Sequence, residues 1–345
     1  MSPLNWGIGH AARLVPIAHQ LYAQGASIFI CAHGPALNLM RLECPYAQFV
    51  EDAPFEITYA KGKWRNIFKL LWQLPSMALQ VYKEQQLLKK LVVKHQIEAI
   101  ISDNRYGFYH ASIPCVFITH QLQIKVPIGA RLVNLVNHYF INKFNACWVP
   151  DWAQNEHALA GALSRNKGLK KLHYIGPLSR ATKIDSNTKE DAPILYLLSG
   201  VEPQRTFLEH IILQRWEQHP HKAILVRGSA LHNEKLNQLN GIEVHNFCEA
   251  KQLQTIVAKC KLIVARSGYS TIMDVVQWQK NAIFIPTPGQ FEQVYLAKYL
   301  SGKKWFYTIN QDDFLQLNET AIKTYQFPKQ PQNQIDFVAL LKLIM

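Results

Sequence analysis

Residues 262–297, LIVARSGYSTIMDVVQWQKNAIFIPTPGQFEQVYLA, read in order as strand, polar turn, helix, strand and loop, and that order commits a chain to an α/β fold with a parallel sheet. Residues 262–265 are continuously apolar, as a strand covered on both faces must be. The strand ends at Arg266-Ser267-Gly268. Gly268 permits a tight turn, after which Ser270 or Thr271 can cap a helix whose apolar positions Ile272, Val275, Val276 and Trp278 recur at helical spacing. Backbone N–H groups at a helix start, a capping hydroxyl and a neighbouring arginine make an anion site, most naturally for phosphate. Asp274, expected in the first turn, either favours the helix dipole or accepts the two hydroxyls of a ribose. Residues 282–285 are the next strand, and Pro286-Thr287-Pro288-Gly289 turns the chain out into a loop carrying Gln290, Glu292 and Gln293. Ligands of open α/β sheets bind at such carboxyl ends of strands. On the residues alone, an ordinary βαβ unit with a proline-rich exit is an equal reading.

The beginning of the chain repeats the theme. Trp6-Gly7-Ile8-Gly9-His10-Ala11-Ala12-Arg13 is a glycine-rich turn opening a helix over 14–24, followed by a strand over 27–31. Such a turn normally follows a buried strand, yet only a few residues precede it, so the first strand is expected to be cut short, with a residual edge in the sheet. Gly7-x-Gly9-x-x-Ala12 fits a dinucleotide fingerprint, but the acidic residue needed at the end of the second strand is replaced by Cys31, Ala32 and His33, which counts against an NAD-linked oxidoreductase. Further strands are expected over 97–101, 114–119, 146–149, 193–198, 222–226, 243–245 and 305–309, with a terminal helix over 334–345. Their exits are polar. Asp103, Asn104 and Arg105 follow one strand and His120 another, on what would be the same sheet edge; Ser199, Gly200 and Arg205 follow a third, where a second phosphate contact is plausible. His10, with a side-chain pKa near neutrality, suits a general base, and Asp103 or His120 could share that role. A histidine that only caps the helix or touches phosphate is the plainer alternative.

These motifs resemble those of MurG-like glycosyltransferases, family 28 of the GT-B superfamily. The resemblance is carried by Arg266, Ser267, Gly268 and Thr271, by Asp274 where the family usually has glutamate, by Pro286 and Gln293, and by the glycine loop with Gly7, Gly9 and His10. It implies an α/β GT-B fold, two Rossmann-like domains facing across a cleft, with an acceptor-binding domain over 1–177, a linker over 178–191 and a donor-binding domain over 192–345 whose terminal helix can pack back on the first. It implies a metal-independent, inverting transfer of a sugar from a nucleotide diphosphate, UDP-linked by preference, with no cofactor. By position, His10 becomes the catalytic base. Ser199, Gly200, Arg205, Phe247 (beside the base), Arg266, Ser267, Gly268, Thr271, Asp274, Gln290, Glu292 and Gln293 fall on the donor side; Gly7, Gly9, Asp103, Asn104, Arg105 and His120 fall on the acceptor side. The family often has a second glutamine after the first, and here that position is Val294. A sugar-nucleotide epimerase or hydrolase on the same fold, or a non-catalytic nucleotide-binding protein, are the alternatives.

At 345 residues the chain exceeds the usual single domain. With 37 Lys+Arg against 24 Asp+Glu the formal charge is +13, which suits phosphorylated substrates or anionic lipid; nucleic acid is not expected, because no nucleic-acid-binding signature accompanies the charge. Residues 61–94 are basic and amphipathic, and either lie at an anionic membrane surface, with a glycan or lipid-linked acceptor nearby, or form core-packed helices with solvated lysines. The six cysteines form no CxxC pair, so a reduced cytoplasmic setting, peripheral to the membrane at most, and no zinc site are expected.

Overall fold

The computed structural model describes residues 1–5, 8–52, 74–126, 128–184, 191–200, 202–228, 241–317 and 336–342. The chain divides into two units, the first comprising Met1–Trp6, His10–Leu178 and Gln332–Met345, the second Gly7–Gly9 and Ser179–Pro331.

The first unit runs β1 (Ser2–Pro3), α1 (Gly9–Ala23), β2 (Phe29–Ala32), α2 (Gly34–Glu43), β3 (Gln48–Glu51), α3 (Leu74–His95), β4 (Ile100–Asp103), β5 (Cys115–Ile118), α4 (Ala130–Ile141), β6 (Ala146–Val149) and β7 (Leu172–Tyr174). A five-stranded sheet has the order β1-β4-β5-β6-β7, with every neighbouring pair parallel. All four residues of β4, β5 and β6 are buried, which is why these segments are apolar without alternation. The short β1 is the terminal strand of this sheet, and β2 and β3 form a separate parallel pair. The Met1 carbonyl accepts from Cys31 N at 2.9 Å and Ser2 Oγ donates to the Cys31 carbonyl at 2.9 Å, which ties the β2-β3 pair to the start of the chain. The helix Phe337–Lys342 belongs to this unit: the Phe337 ring lies 5.5 Å from that of Trp148, and Phe337 N donates to Gln20 Oε1. Of the basic stretch 61–94, residues 61–73 lie outside the described residues, and the remainder falls in α3, which buries Glu84 and Leu88.

The second unit runs β8 (Ile194–Leu197), α5 (Gln204–Gln218), β9 (Ala223–Val226), β10 (Ile242–His245), α6 (Ala250–Lys259), β11 (Leu262–Ala265), α7 (Tyr269–Trp278), β12 (Ala282–Phe284), α8 (Phe291–Gly302) and β13 (Tyr307–Thr308). Its six strands are parallel in the order β10-β9-β8-β11-β12-β13, a doubly wound sheet whose winding reverses between β8 and β11. Tyr196, Leu198, Leu208, Ile212, Leu225, Val264 and Ile285 form the centre of its core. Gly228, at φ 66°, follows β9 so closely that a Cβ there would stand 2.3 Å from the Leu198 carbonyl oxygen.

Among the described residues no helix is long and apolar enough to cross a membrane. All six thiols are free and buried.

Candidate active site

In the first unit β1 and β4 are neighbours, and the chain winds one way from β1 and the other way from β4, so the residues that follow the two strands meet at one end of the sheet. His10 stands in the first turn of α1 and Arg13 one turn later on the same face. Asp103 is the last residue of β4 rather than part of its exit loop, and it is fully buried. Its Oδ1 is 3.0 Å from Nδ1 of His10; its Oδ2 accepts from Arg13 Nε at 2.5 Å, and Arg13 Nη2 donates to Oδ1. The same Nη2 is 3.0 Å from His10 Nδ1, and Arg13 Nη1 reaches Nδ1 of His120 at 3.4 Å.

We assign the His10 ring proton to Nδ1, because the opposite tautomer would set a lone pair against Oδ1 of a carboxylate. That leaves Nε2 as the basic atom, and it has no hydrogen-bond partner among the described residues. Burial pushes the Asp103 carboxyl up, but Arg13 and His10 outweigh it and hold the group below the usual carboxylate range. For His10, burial is the largest influence and lowers the pKa; Asp103 pulls it up, Arg13 pushes it down, and the balance lies below the ordinary imidazole value. The ring is therefore neutral at pH 7, as a proton acceptor must be.

His10, Asp103 and His120 are thus brought together, and Gly9 opens the helix that carries the first; Gly7 lies outside the described residues. Asn104, at φ 54°, is half-buried just beyond Asp103, its N–H donating to the Ile118 carbonyl. Arg105 does not join them. Its guanidinium turns into the protein, with Nε donating to Glu84 Oε1 at 2.9 Å, Nη1 lying 2.5 Å from Asp52 Oδ2 and 2.8 Å from Ser2 Oγ, and its plane 4.1 Å from the Phe108 ring centre. Asp52 also bonds His33 Nδ1 at 2.7 Å. A cation this buried and this fully paired ties α3, β1 and β3 to β4, and the acceptor-side expectation for Arg105 is corrected accordingly. The residue missed in the sequence is Arg13, whose spacing of three from His10 was the available signal.

In the second unit the loops after β8 and β11 flank the point where the winding reverses, the place where doubly wound sheets hold ligands. Ser199 and the exposed Gly200, at φ 104°, form one lip; Arg266-Ser267-Gly268 forms the other. Gly268 is the N-cap of α7 in an extended conformation (φ −71°, ψ 140°) that any residue adopts, so the expected tight turn is absent. Ser270 and Thr271 lie inside the helix, and no side chain caps it. The nearest atom to a Cβ at Gly268 would be Thr271 Oγ1 at 3.9 Å, so glycine here is not demanded by packing and leaves the positive end of the helix open to an approaching group.

Arg266 is buried behind this helix start. Nη1 reaches the Ile285 and Pro286 carbonyls at 3.4 and 3.3 Å, Nη2 donates to the Gln204 carbonyl at 2.8 Å and to Gln311 Oε1 at 2.7 Å, and Nε has no partner. No carboxylate pairs with it among the described residues, and burial lowers its pKa to about 10. Ser267 Oγ donates to the Gln293 carbonyl at 3.0 Å. Gln293 is turned inward: Oε1 accepts from Thr287 N at 2.9 Å and Nε2 donates to Gln290 Oε1 at 2.6 Å, so it shapes the loop rather than offering both ends of its amide to a ligand. Gln290 is the N-cap of α8 and Glu292 lies in its first turn, inside the helix rather than in the expected loop, and both are half-buried. Asp274 lies in the second turn of α7, not the first; Ser179 Oγ donates to its Oδ1 at 2.5 Å, and burial raises its pKa to about 6.

Arg205 is also corrected. It is buried with Nε on Glu202 Oε1 at 2.6 Å and Nη1 on Glu209 Oε2 at 2.7 Å, while Glu209 binds Arg227 through Nη2 at 2.8 Å, so its charge is spent inside α5 and beside β9. Phe247 is half-buried just after β10.

Residues 197–340 match the glycosyltransferase family 28 C-terminal domain. The second unit carries a glycosyltransferase family 28 C-terminal domain. The chain's fold is that of GT-B enzymes. Acinetobacter baumannii MurG is similar at 14% identity and a TM-score of 0.55, covering 100% of this chain and 97% of that one. Spinosyn rhamnosyltransferase SpnG complexed with thymidine diphosphate is similar at 14% identity and a TM-score of 0.59, covering 99% and 90%. SnogD from Streptomyces nogalater gives 14% identity, a TM-score of 0.55 and coverage of 93% and 90%. No curated protein matches the sequence. The matched segment contains both lips of the second unit's crevice.

Proposed function

We propose that this glycosyltransferase moves a sugar from a nucleoside diphosphate donor, UDP-linked by preference, to a hydroxyl of a glycan or lipid-linked acceptor, by single displacement with inversion and without a metal. The observation that carries the donor half is Arg266, a buried guanidinium with an orphaned Nε and no carboxylate among the described residues, beside a helix start that no side chain caps. A buried cation without an anion is costly, and a diphosphate arriving there would relieve that cost. The open start of α7 and Arg266 would stabilise charge developing on the departing diphosphate, the work a divalent ion does elsewhere. Asp274, beside Ser179, would accept ribose hydroxyls. One structural neighbour was solved with thymidine diphosphate, which agrees with a nucleoside diphosphate here.

The acceptor half rests on His10. Its Nε2 would take the proton of the acceptor hydroxyl as the oxygen bonds the anomeric carbon, while the bond from that carbon to the diphosphate oxygen breaks and its electron pair leaves with the phosphate. Asp103 orients the ring and meets the imidazolium through Nδ1–H. Attack opposite the leaving group inverts the sugar carbon.

A thermal-shift series with UDP, UDP-sugars, dTDP and NAD tests the donor reading. A ligand at 100 times its Kd stabilises by about 2.7 kcal/mol. UDP compounds should shift the transition with and without EDTA; no shift by any nucleoside diphosphate, or a shift abolished by chelation, would overturn it.

A further inference from the structure

We propose that Arg13 is a positioning residue that sets how readily His10 holds a proton, by dividing Asp103 between a guanidinium and an imidazole. The inference rests on the reading of His10 as the base and names what tunes it.

An unshared carboxylate beside an imidazole stabilises the imidazolium and keeps the ring protonated at higher pH. Asp103 is not unshared. Arg13 engages both of its oxygens, through Nε on Oδ2 and Nη2 on Oδ1, and Nη2 stands 3.0 Å from His10 Nδ1, the same separation as Oδ1 itself. A proton arriving on Nε2 is therefore opposed by a fixed cation as near to the ring as the carboxylate that favours it. The titratable groups that face His10 are Arg13 from its own helix, Asp103 from the end of β4 and His120 from the loop after β5. Arg13 is 2% exposed, so little water screens its charge and its role is exerted through Asp103 and His10 rather than by touching substrate. Through Nη1 it donates to His120 Nδ1, which places the neutral ring's proton on Nε2 there. Asp103 thus holds the His10 proton on Nδ1, leaving Nε2 basic, while the guanidinium takes up Nδ1 of His120 and leaves that ring's proton on Nε2. Of the two rings, His10 is the one set up to accept.

The test is an NMR pH titration of the histidine rings in the full chain, with the His10 signal assigned through H10Q. In the wild type His10 should titrate below a free histidine. In R13Q the carboxylate is released to the ring and the midpoint should rise by about one unit or more, the effect of a charge at this range. In R13K the charge stays while the fork is lost, and the rise should be smaller. An R13Q midpoint equal to or below that of the wild type would overturn the proposal. Should R13Q not fold, D103N decides: with Arg13 alone facing the ring the midpoint should fall, and an unchanged or raised midpoint would overturn it. The base reading fails differently, through H10Q that still releases UDP from UDP-sugars at the wild-type rate in the presence of acceptor.

Discussion

Ser179 Oγ donates to Oδ1 of Asp274 across 2.5 Å, joining the first residue of the second unit's main segment to the carboxylate on the helix that leaves β11. The bond does not offset the burial of that carboxylate, whose pKa rises to about 6 against an ordinary 3.8. Protonated Asp274 therefore belongs to the more stable fold. Its contribution is fully present below about pH 3.8 and is lost as the pH climbs through about 6, so at neutral pH the ionised side chain works against the apo protein.

Replacing the charge should separate stability from binding. Asp274→Asn should raise Tm at pH 8 and leave it nearly unchanged at pH 4, while weakening UDP binding by about 10-fold or more through loss of charge-assisted bonds to the ribose. Calorimetry at the two pH values and titration with UDP check both halves. A variant less stable than the wild type at pH 8 would contradict the account of Asp274.

His10 gives the second prediction. A general base contributes about 10²–10⁴-fold, so His10→Gln should lower the transfer rate by that order without changing the affinity for UDP. Because burial lowers the His10 pKa, the acid limb of the wild-type kcat/KM profile should lie below the ordinary histidine range, where the base is still unprotonated and activity persists. The rate-versus-pH curve for wild type and variant is the measurement, and a limb near pH 7 or above would contradict the assignment.

How much of this was legible in the sequence depends on whether local chemistry or distant partners fixed each feature. The continuously apolar runs marked β11, β6 and β8 within a residue or so, because strands covered on both faces have no other composition open to them. The strand expected over 97–101 was placed too early. The chain continues as β4 through Ser102 and Asp103, polar residues that stay in the sheet because Ser102 Oγ bonds the Arg105 carbonyl and Arg13 clamps Asp103. Arginine fates were the least legible. Arg13, Arg105 and Arg205 each settle against carboxylates supplied from elsewhere in the chain or from the next helical turn, whereas Arg266 meets, among the described residues, carbonyl and amide oxygens, and nothing in a polar exit loop distinguishes the two outcomes. The capping roles given to Ser270 and Thr271 failed for a local reason. The helix starts one residue after Gly268, so both hydroxyls fall inside it.

Arg105 is predicted to matter for stability and not for acceptor binding. Arg105→Met leaves Glu84 and Asp52 buried without their cation, and breaking a buried pair in this way costs about 3–5 kcal/mol. Tm should drop by several degrees, while kcat/KM per folded molecule stays near that of the wild type at a temperature where the variant is folded. A stable variant with a raised acceptor KM would return Arg105 to the acceptor side.

Arg266 allows the sharpest separation of phosphate from base and sugar. Lysine keeps the positive charge but presents it as a point on a flexible stem, without the planar fork that spans the Gln204 carbonyl, Gln311 and whatever oxygen meets Nε. Arg266→Lys should therefore weaken UDP by about 10-fold or more, since a charge-assisted bond to phosphate contributes about 1.5–3 kcal/mol, and leave the far weaker binding of uridine unchanged. Titration calorimetry with UDP, UMP and uridine reads the difference directly. Equal losses for UDP and uridine would mean that Arg266 shapes the loop after β12 rather than meeting the diphosphate, and UDP affinity indifferent to the substitution would remove the arginine from the donor site.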